Sequence, residues 1–194
     1  MDTTGFFTSV LCYYRSHAFC QLKRIKTLMF TIESDSSLSK KELYLALQKQ
    51  LDALLVDERD LICNLAQFSA FIMQTVETLN WVGFYLARDK ELILGPYVGR
   101  VACTRIPFGQ GVCGTAVNLK QIQRVDDVST FSGHIACDSE TQSELVFPIM
   151  VEGDLIGVLD IDSPIKNRFN EEDQDGIARL LESLIKGTSF EWQF

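Results

Sequence analysis

The sequence predicts an α+β fold, a central antiparallel sheet with helices packed against it. Three observations carry this. Two helix-period stripes come first, strand-type segments interrupted by one short helix and a polar loop follow, and one well-capped helix ends the pattern. The two longest apolar strands are joined by Glu152-Gly153-Asp154, a hairpin turn that makes them antiparallel neighbours. Finally, 194 residues with 46% hydrophobic and 23% charged content, including thirteen Phe, suit one domain with a substantial core.

The elements follow in order. Ser39 with Glu42 forms a capping box, so structure should begin there. Leu43, Leu47, Leu51, Leu54 and Leu55 then recur at helical spacing. Asp57 is the expected cap of a second helix with the stripe Leu61, Leu65, Phe68, Ile72 and Val76, in which Cys63 reads as a small packing residue. Trp81–Leu86 and Glu91–Leu94 read as a hairpin, followed by a strand over Val101–Ile106. Gly109, Gly111 and Gly114 punctuate a turn into a short helix ending near Asn118, and Ile122–Val125 is a short strand. Residues 126–142 form a polar loop, and Ser143–Val151 and Leu155–Ile161 are the two long strands. Asn170 caps the last helix, Glu171, Glu172 and Asp173 favour its positive end, and Gly187 closes it. Its buried stripe is Ile177, Leu180, Leu181, Leu184 and Ile185.

Composition excludes several function classes. No stretch approaches the ~18 uninterrupted apolar residues of a membrane span. The net charge of −8 repels phosphate backbones, and Lys and Arg form no stripe, so nucleic acid is not an expected partner. Residues 1–28 depart from the rest: Arg15, Lys23, Arg24 and Lys26 stand against the single acid Asp2, without periodicity. They read as a disordered extension, or as translation from a start upstream of Met29, leaving residues 29–194 as the domain. Mitochondrial targeting by this basic segment is the less favoured alternative to a cytoplasmic location.

Six cysteines stand at positions 12, 20, 63, 103, 113 and 137. A core this apolar needs no disulfide framework, and without a C-x-x-C pair and with two His a structural zinc site is not expected. The cluster reads as chemical, in a reducing compartment.

Residues 80–86 (Asn-Trp-Val-Gly-Phe-Tyr-Leu), 101–117 (Val-Ala-Cys-Thr-Arg-Ile-Pro-Phe-Gly-Gln-Gly-Val-Cys-Gly-Thr-Ala-Val) and 133–138 (Gly-His-Ile-Ala-Cys-Asp) resemble the free methionine-(R)-sulfoxide reductases. So do Ser143–Pro148 and Gly157–Ser163, and the likeness runs from about Leu38 to about Ile185. The resemblance implies a single GAF-type domain, commonly a homodimer, that protects against oxidative stress and is recycled by thioredoxin. NADPH feeds thioredoxin through thioredoxin reductase, and no cofactor or metal is bound. It implies Cys137 as nucleophile, Cys103 as principal resolving thiol, Cys113 as second resolving thiol, and Trp81, Tyr85, Glu144, Asp160 and Asp162 in the substrate site. Cys12, Cys20 and Cys63 match no family position.

The residue types suit that chemistry. Sulfoxide reduction needs a thiolate that attacks sulfur and a second thiol that removes the sulfenic acid as a disulfide. It also needs a proton for the departing oxygen. Glu144 opens a largely apolar strand, where desolvation raises a carboxyl pKa. Asp160 and Asp162 alternate with Ile161, so both carboxylates share one face of the strand and can receive the α-ammonium of a free amino acid. Trp81 and Tyr85 are candidates to wall the S-methyl pocket, although a strand aromatic is more often core. His134 is near Cys137 in sequence, but a loop His is more often an anchor, and it is not assigned as a base. Two rivals stand: a thiol redox sensor, and a non-enzymatic ligand-binding GAF sensor. The second draws on Asn167-Arg168-Phe169 with Glu171 and Glu172, a motif similar to one in cyclic-nucleotide GAF domains but also a structural tie of the fold.

Overall fold

The computed structural model describes residues 31–32, 37–135 and 137–190; the expectations for residues 1–28, with Cys12 and Cys20, lie outside them. Among the described residues, four α-helices and six strands follow the expected order. The strands β1 (Trp81–Arg88), β2 (Glu91–Gly99), β3 (Arg105–Pro107), β4 (Gln123–Val125), β5 (Ser143–Val151) and β6 (Asp154–Ser163) form one antiparallel sheet in the order β3-β2-β1-β6-β5-β4.

Alternation in the central strands separates two cores. Val82, Phe84, Leu145, Phe147, Leu159 and Ile161 point to one face and pack with helices α1 (Lys40–Leu54), α2 (Leu61–Thr75) and α4 (Glu171–Gly187). Trp81, Tyr85, Val146 and Val158 point to the other, where α3 (Gly111–Leu119) adds Val112, Cys113, Ala116 and Val117. Most of the residues singled out from the sequence gather on this second face.

Local signals account for the helices. The Ser39 side chain accepts from the Glu42 N–H while Glu42 bonds back to the Ser39 N–H, completing the expected box. The second helix is capped by Asp60, not Asp57: its carboxylate accepts from the Cys63 N–H at 2.8 Å. A turn closed by Glu58 N–H to Leu55 C=O uses up the intervening residues. Cys63 is exposed rather than packed, because the buried stripe runs through Leu61, Asn64, Leu65 and Phe68.

Two strand boundaries also differ. β2 runs five residues beyond Leu94, and Gly83 pairs with Tyr97 while Tyr85 pairs with Leu94. The extra residue is a bulge that accommodates Pro96, which has no N–H for the ladder. The strand expected over Val101–Ile106 shrinks to Arg105–Pro107, so Cys103 stands in a loop. Side chains of β1 hold that loop instead: Tyr85 Oη donates to the Cys103 carbonyl at 3.0 Å and Trp81 Nε1 to the Arg100 carbonyl at 3.1 Å.

The Asn167-Arg168-Phe169 motif is a tie. Arg168 donates to the Glu77 carbonyl at 3.0 Å and pairs with Asp173 at 3.2 Å, and Phe169 is buried in the helix-side core. Asp173 is 1% exposed and also accepts from Lys40 at 2.8 Å, Tyr44 at 2.9 Å and the Asn170 N–H at 3.0 Å, joining α1 to α4. Gly176 completes the junction, because a β-carbon there collides with the Tyr44 ring.

Burial alone raises the Asp173 pKa, but these donors together hold it below the usual carboxylate value. A depressed folded-state pKa contributes stability above the unfolded value of ~3.9, which is lost as pH falls through the folded value. Asp173→Asn should therefore cost about 3 kcal/mol near neutrality, by breaking a buried ion pair. The deficit relative to wild type should shrink below about pH 4, measured by urea unfolding across pH.

Candidate active site

The second face opens into a narrow cleft lined by acids and thiols. Cys113, Cys137, Glu144, Asp160 and Asp162 all line it, as does His134. Each arrives from a different local logic. Cys113 lies in the first turn of α3, whose entry needs Gly111 at φ +61°. Glu144 is the second residue of β5 and pairs in register with Asp162 of β6. Asp160 and Asp162 share a face by the period-two rule, with Ile161 fully buried in the opposite core. Cys137 comes from the loop between β4 and β5.

Cys137 is joined to Cys103 by a disulfide, with Cα atoms 5.3 Å apart at a sequence separation of 34. Cys113 is a free, buried thiol whose Sγ lies 3.8 Å from Glu144 Oε1. His134 Nε2 stands 3.8 Å from Glu144 Oε2.

The site holds more acid than it can pair. Burial drives the Glu144 carboxyl well above the usual range, and the charges of Asp160 and Asp162 push the same way. Burial likewise raises Asp160, to about 6, and Asp162 well above its ordinary value, with Asp160 adding to the latter. Asp160 Oδ1 and Asp162 Oδ1 are buried with no hydrogen-bond partner. Buried acceptors without donors are costly and point to a ligand that supplies the donors. Burial and the acids also push the Cys113 thiol upward, and burial lowers the His134 pKa. Among the described residues, the Cys113, Glu144 and Asp160 ligand atoms lie within 4.8 Å of one another, close enough to surround a cation.

Trp81 and Tyr85 are not in the lining; they pack beneath it, with rings stacked at 5.8 Å. Tyr85 is nonetheless close enough for its phenol pKa to be raised by burial first and then by Asp160, Cys113, Asp162 and Glu144. The sequence reading missed Asp138, Thr141 and Asn80. Asn80 Nδ2 donates to both Asp138 and Thr141 at 3.1 Å, and Thr141 works against the burial that raises Asp162. The only available signal was the density of polar residues around Cys137.

The unpaired acids should be a stability liability. A folded-state pKa raised above the unfolded value contributes stability that is full below ~4 and lost as pH rises through the folded value. For Asp160 the loss is centred between about 4 and about 6. Asp160→Asn should therefore stabilise the ligand-free protein by about 1 to 3 kcal/mol at pH 8 and by much less at pH 4. Thermal melts at both pH values read this, and a variant less stable than wild type at pH 8 would contradict it.

Comparison with known proteins identifies the family. The GAF domain family model matches residues 64–184. Free methionine-R-sulfoxide reductase of Escherichia coli is 46% identical over 149 residues, covering 77% of this chain and 90% of that protein. The enzyme of the same name from Saccharomyces cerevisiae is 39% identical over 167 residues, covering 82% and 93%. The X-ray structure of free methionine-R-sulfoxide reductase from Neisseria meningitidis in complex with its substrate superposes with a TM-score of 0.77 at 38% identity, covering 82% of this chain and 95% of that one. With its cysteine pair and acid-lined cleft on a GAF fold, the chain belongs to the free methionine-(R)-sulfoxide reductase family.

Proposed function

We propose that the protein reduces free methionine-(R)-sulfoxide to methionine, with Cys137 as nucleophile. The observation that carries this reading is a cleft that brings Cys137, disulfide-bonded to Cys103 behind it, together with two buried carboxylates with unsatisfied oxygens. An α-ammonium brings three donors and a positive charge, which suits Asp160 and Asp162. The Tyr85 ring, with Trp81 stacked on it, serves as the apolar floor beneath the S-methyl group.

In the reduced enzyme the Cys137 thiolate attacks the sulfoxide sulfur. Glu144, kept protonated by its burial, delivers a proton to the sulfoxide oxygen. The bond between Cys137 and the substrate sulfur then breaks with the substrate S–O bond as the protonated oxygen passes to Cys137: the substrate leaves as the thioether, and Cys137 is oxidised to the sulfenic acid. The Cys103 thiol then attacks Cys137, the S–O bond breaks, water leaves and the disulfide closes. Cys113, buried and held as a thiol beside Glu144, is the second resolving thiol. Thioredoxin, supplied by NADPH through thioredoxin reductase, returns the disulfide to two thiols. The working form is a homodimer in the cytoplasm, with residues 1–28 an extension to a domain spanning 29–194. Among the described residues no helix is long and apolar enough to cross a membrane.

NADPH consumption with thioredoxin, thioredoxin reductase and the free sulfoxide tests the reading. Cys137→Ser should abolish turnover. Cys103→Ser should release about one methionine per enzyme and then stall, apart from slow recycling through Cys113. Binding of the sulfoxide without turnover would instead mark a sensor.

Selectivity tests the ammonium site separately. N-acetyl-methionine-(R)-sulfoxide lacks the cation and leaves both carboxylates unpaired. Its kcat/KM should fall by roughly 10⁴, as for sites built around a missing donor. Asp160→Asn and Asp162→Asn should mainly raise KM, and Glu144→Gln should lower kcat. Equal use of the free and acetylated substrates by the wild type would remove the ammonium site.

A further inference from the structure

We propose that Arg100 is a positioning residue for the resolving step, clamping the Cys103 loop to the segment that follows Cys137. This rests on the reading of Cys137 as nucleophile and Cys103 as resolving thiol.

The clamp joins two loops that are far apart in sequence. Arg100 lies three residues before Cys103, and Glu140 three residues after Cys137. Arg100 Nη1 is 2.8 Å from Glu140 Oε1 and 3.7 Å from Asp138 Oδ1. Arg100 and Glu140 are more than half exposed, but the Asp138 side chain is only 4% exposed. Its other contacts are neutral donors: the Glu140 N–H at 3.0 Å and Asn80 Nδ2 at 3.1 Å. Arg100 is thus the cation that both acids of the Cys137 segment face. Its own backbone is anchored, because Trp81 Nε1 donates to its carbonyl.

The resolving step is where this anchoring counts. Cys137 carries –S–OH and Cys103 carries –SH. The new S–S bond forms as the S–O bond breaks, and the thiol proton leaves with the hydroxide as water. Before that bond exists, nothing covalent holds the loops together, and closure depends on the effective concentration of one sulfur at the other. An ion pair of this kind raises that concentration from outside the cleft: neither Arg100 nor Glu140 lines it, and Asp138, which does, keeps its Asn80 and Glu140 N–H donors when Arg100 is removed. The same advantage favours the disulfide over the dithiol at equilibrium, so rate and reduction potential should move together.

The test is a single turnover of the reduced full-length enzyme with one equivalent of free methionine-(R)-sulfoxide. Methionine release reports the attack, dimedone trapping reports the sulfenic acid, and redox-buffer titration gives the potential. In Arg100→Ala the methionine burst should keep its rate, disulfide closure should slow about tenfold, and trapped sulfenic acid should increase. A tenfold loss corresponds to a potential about 30 mV less negative. Arg100→Lys should recover most of both, and Glu140→Gln, which removes only the 2.8 Å pair, should show a smaller change in the same direction. Wild-type closure and potential in Arg100→Ala would overturn the clamp, as would an Arg100→Lys variant impaired as much as Arg100→Ala. Normal turnover by Cys137→Ser would instead show that the underlying reading of the thiols has failed.

Discussion

Everything in the site depends on the ladder of β1, β6 and β5. Each side chain on these strands must face either the three-helix core or the α3 core, because successive residues point oppositely. Leu159 and Ile161 belong to the helix side, and pairing of Leu145 with Ile161 and of Phe147 with Leu159 keeps that register. Asp160 and Asp162 are thereby committed to the other face. A slip of one residue would move two carboxylates into the helix core, so the hydrophobic drive that sets the register also places the acids.

Two kinds of buried acid show how differently the fold treats them. Asp173, at the α1–α4 junction, is met by Lys40, Arg168, Tyr44 and the Asn170 N–H, and its ionised form is favoured. Asp160 and Asp162 are as buried in practice, but each retains an oxygen with no donor, and their ionised forms are disfavoured. Asp173 stabilises the architecture. The pocket acids oppose stability and have a physical reason to be present only if a ligand answers them.

The aromatic pair acquires a double task in this arrangement. Trp81 and Tyr85 stack beneath the cleft, and their polar atoms bond to carbonyls of the Cys103 loop. The residues packed beneath the cleft and the mount of the Cys103 loop are therefore the same two side chains. Where a strand was expected, these bonds and the Leu94 N–H donating to the Thr104 carbonyl hold the loop without placing Cys103 in the sheet. The Asn167-Arg168-Phe169 motif, by contrast, is spent on structure: Arg168 and Phe169 are engaged with α4, the helix core and the Glu77 carbonyl.

The helices, the two long strands and their hairpin could be read from sequence because their causes are local. Caps act over three residues, and burial stripes repeat every two or 3.6 residues. The resemblance supplied the names of the site residues, and alternation explained why Asp160 and Asp162 share a face. The errors were local as well: Asp57 and Asp60 are equally good caps until the preceding turn is seen, and a helical cysteine faces outward or inward according to where the core lies. What only the tertiary structure decided was the meeting of groups distant in the chain. Asn80 reaches Asp138, Arg100 reaches Glu140, and Cys113 reaches Glu144 across 31 residues. No periodicity encodes such pairs, because they arise where α3 and two loops close over one face of a sheet whose strand order differs from its sequence order.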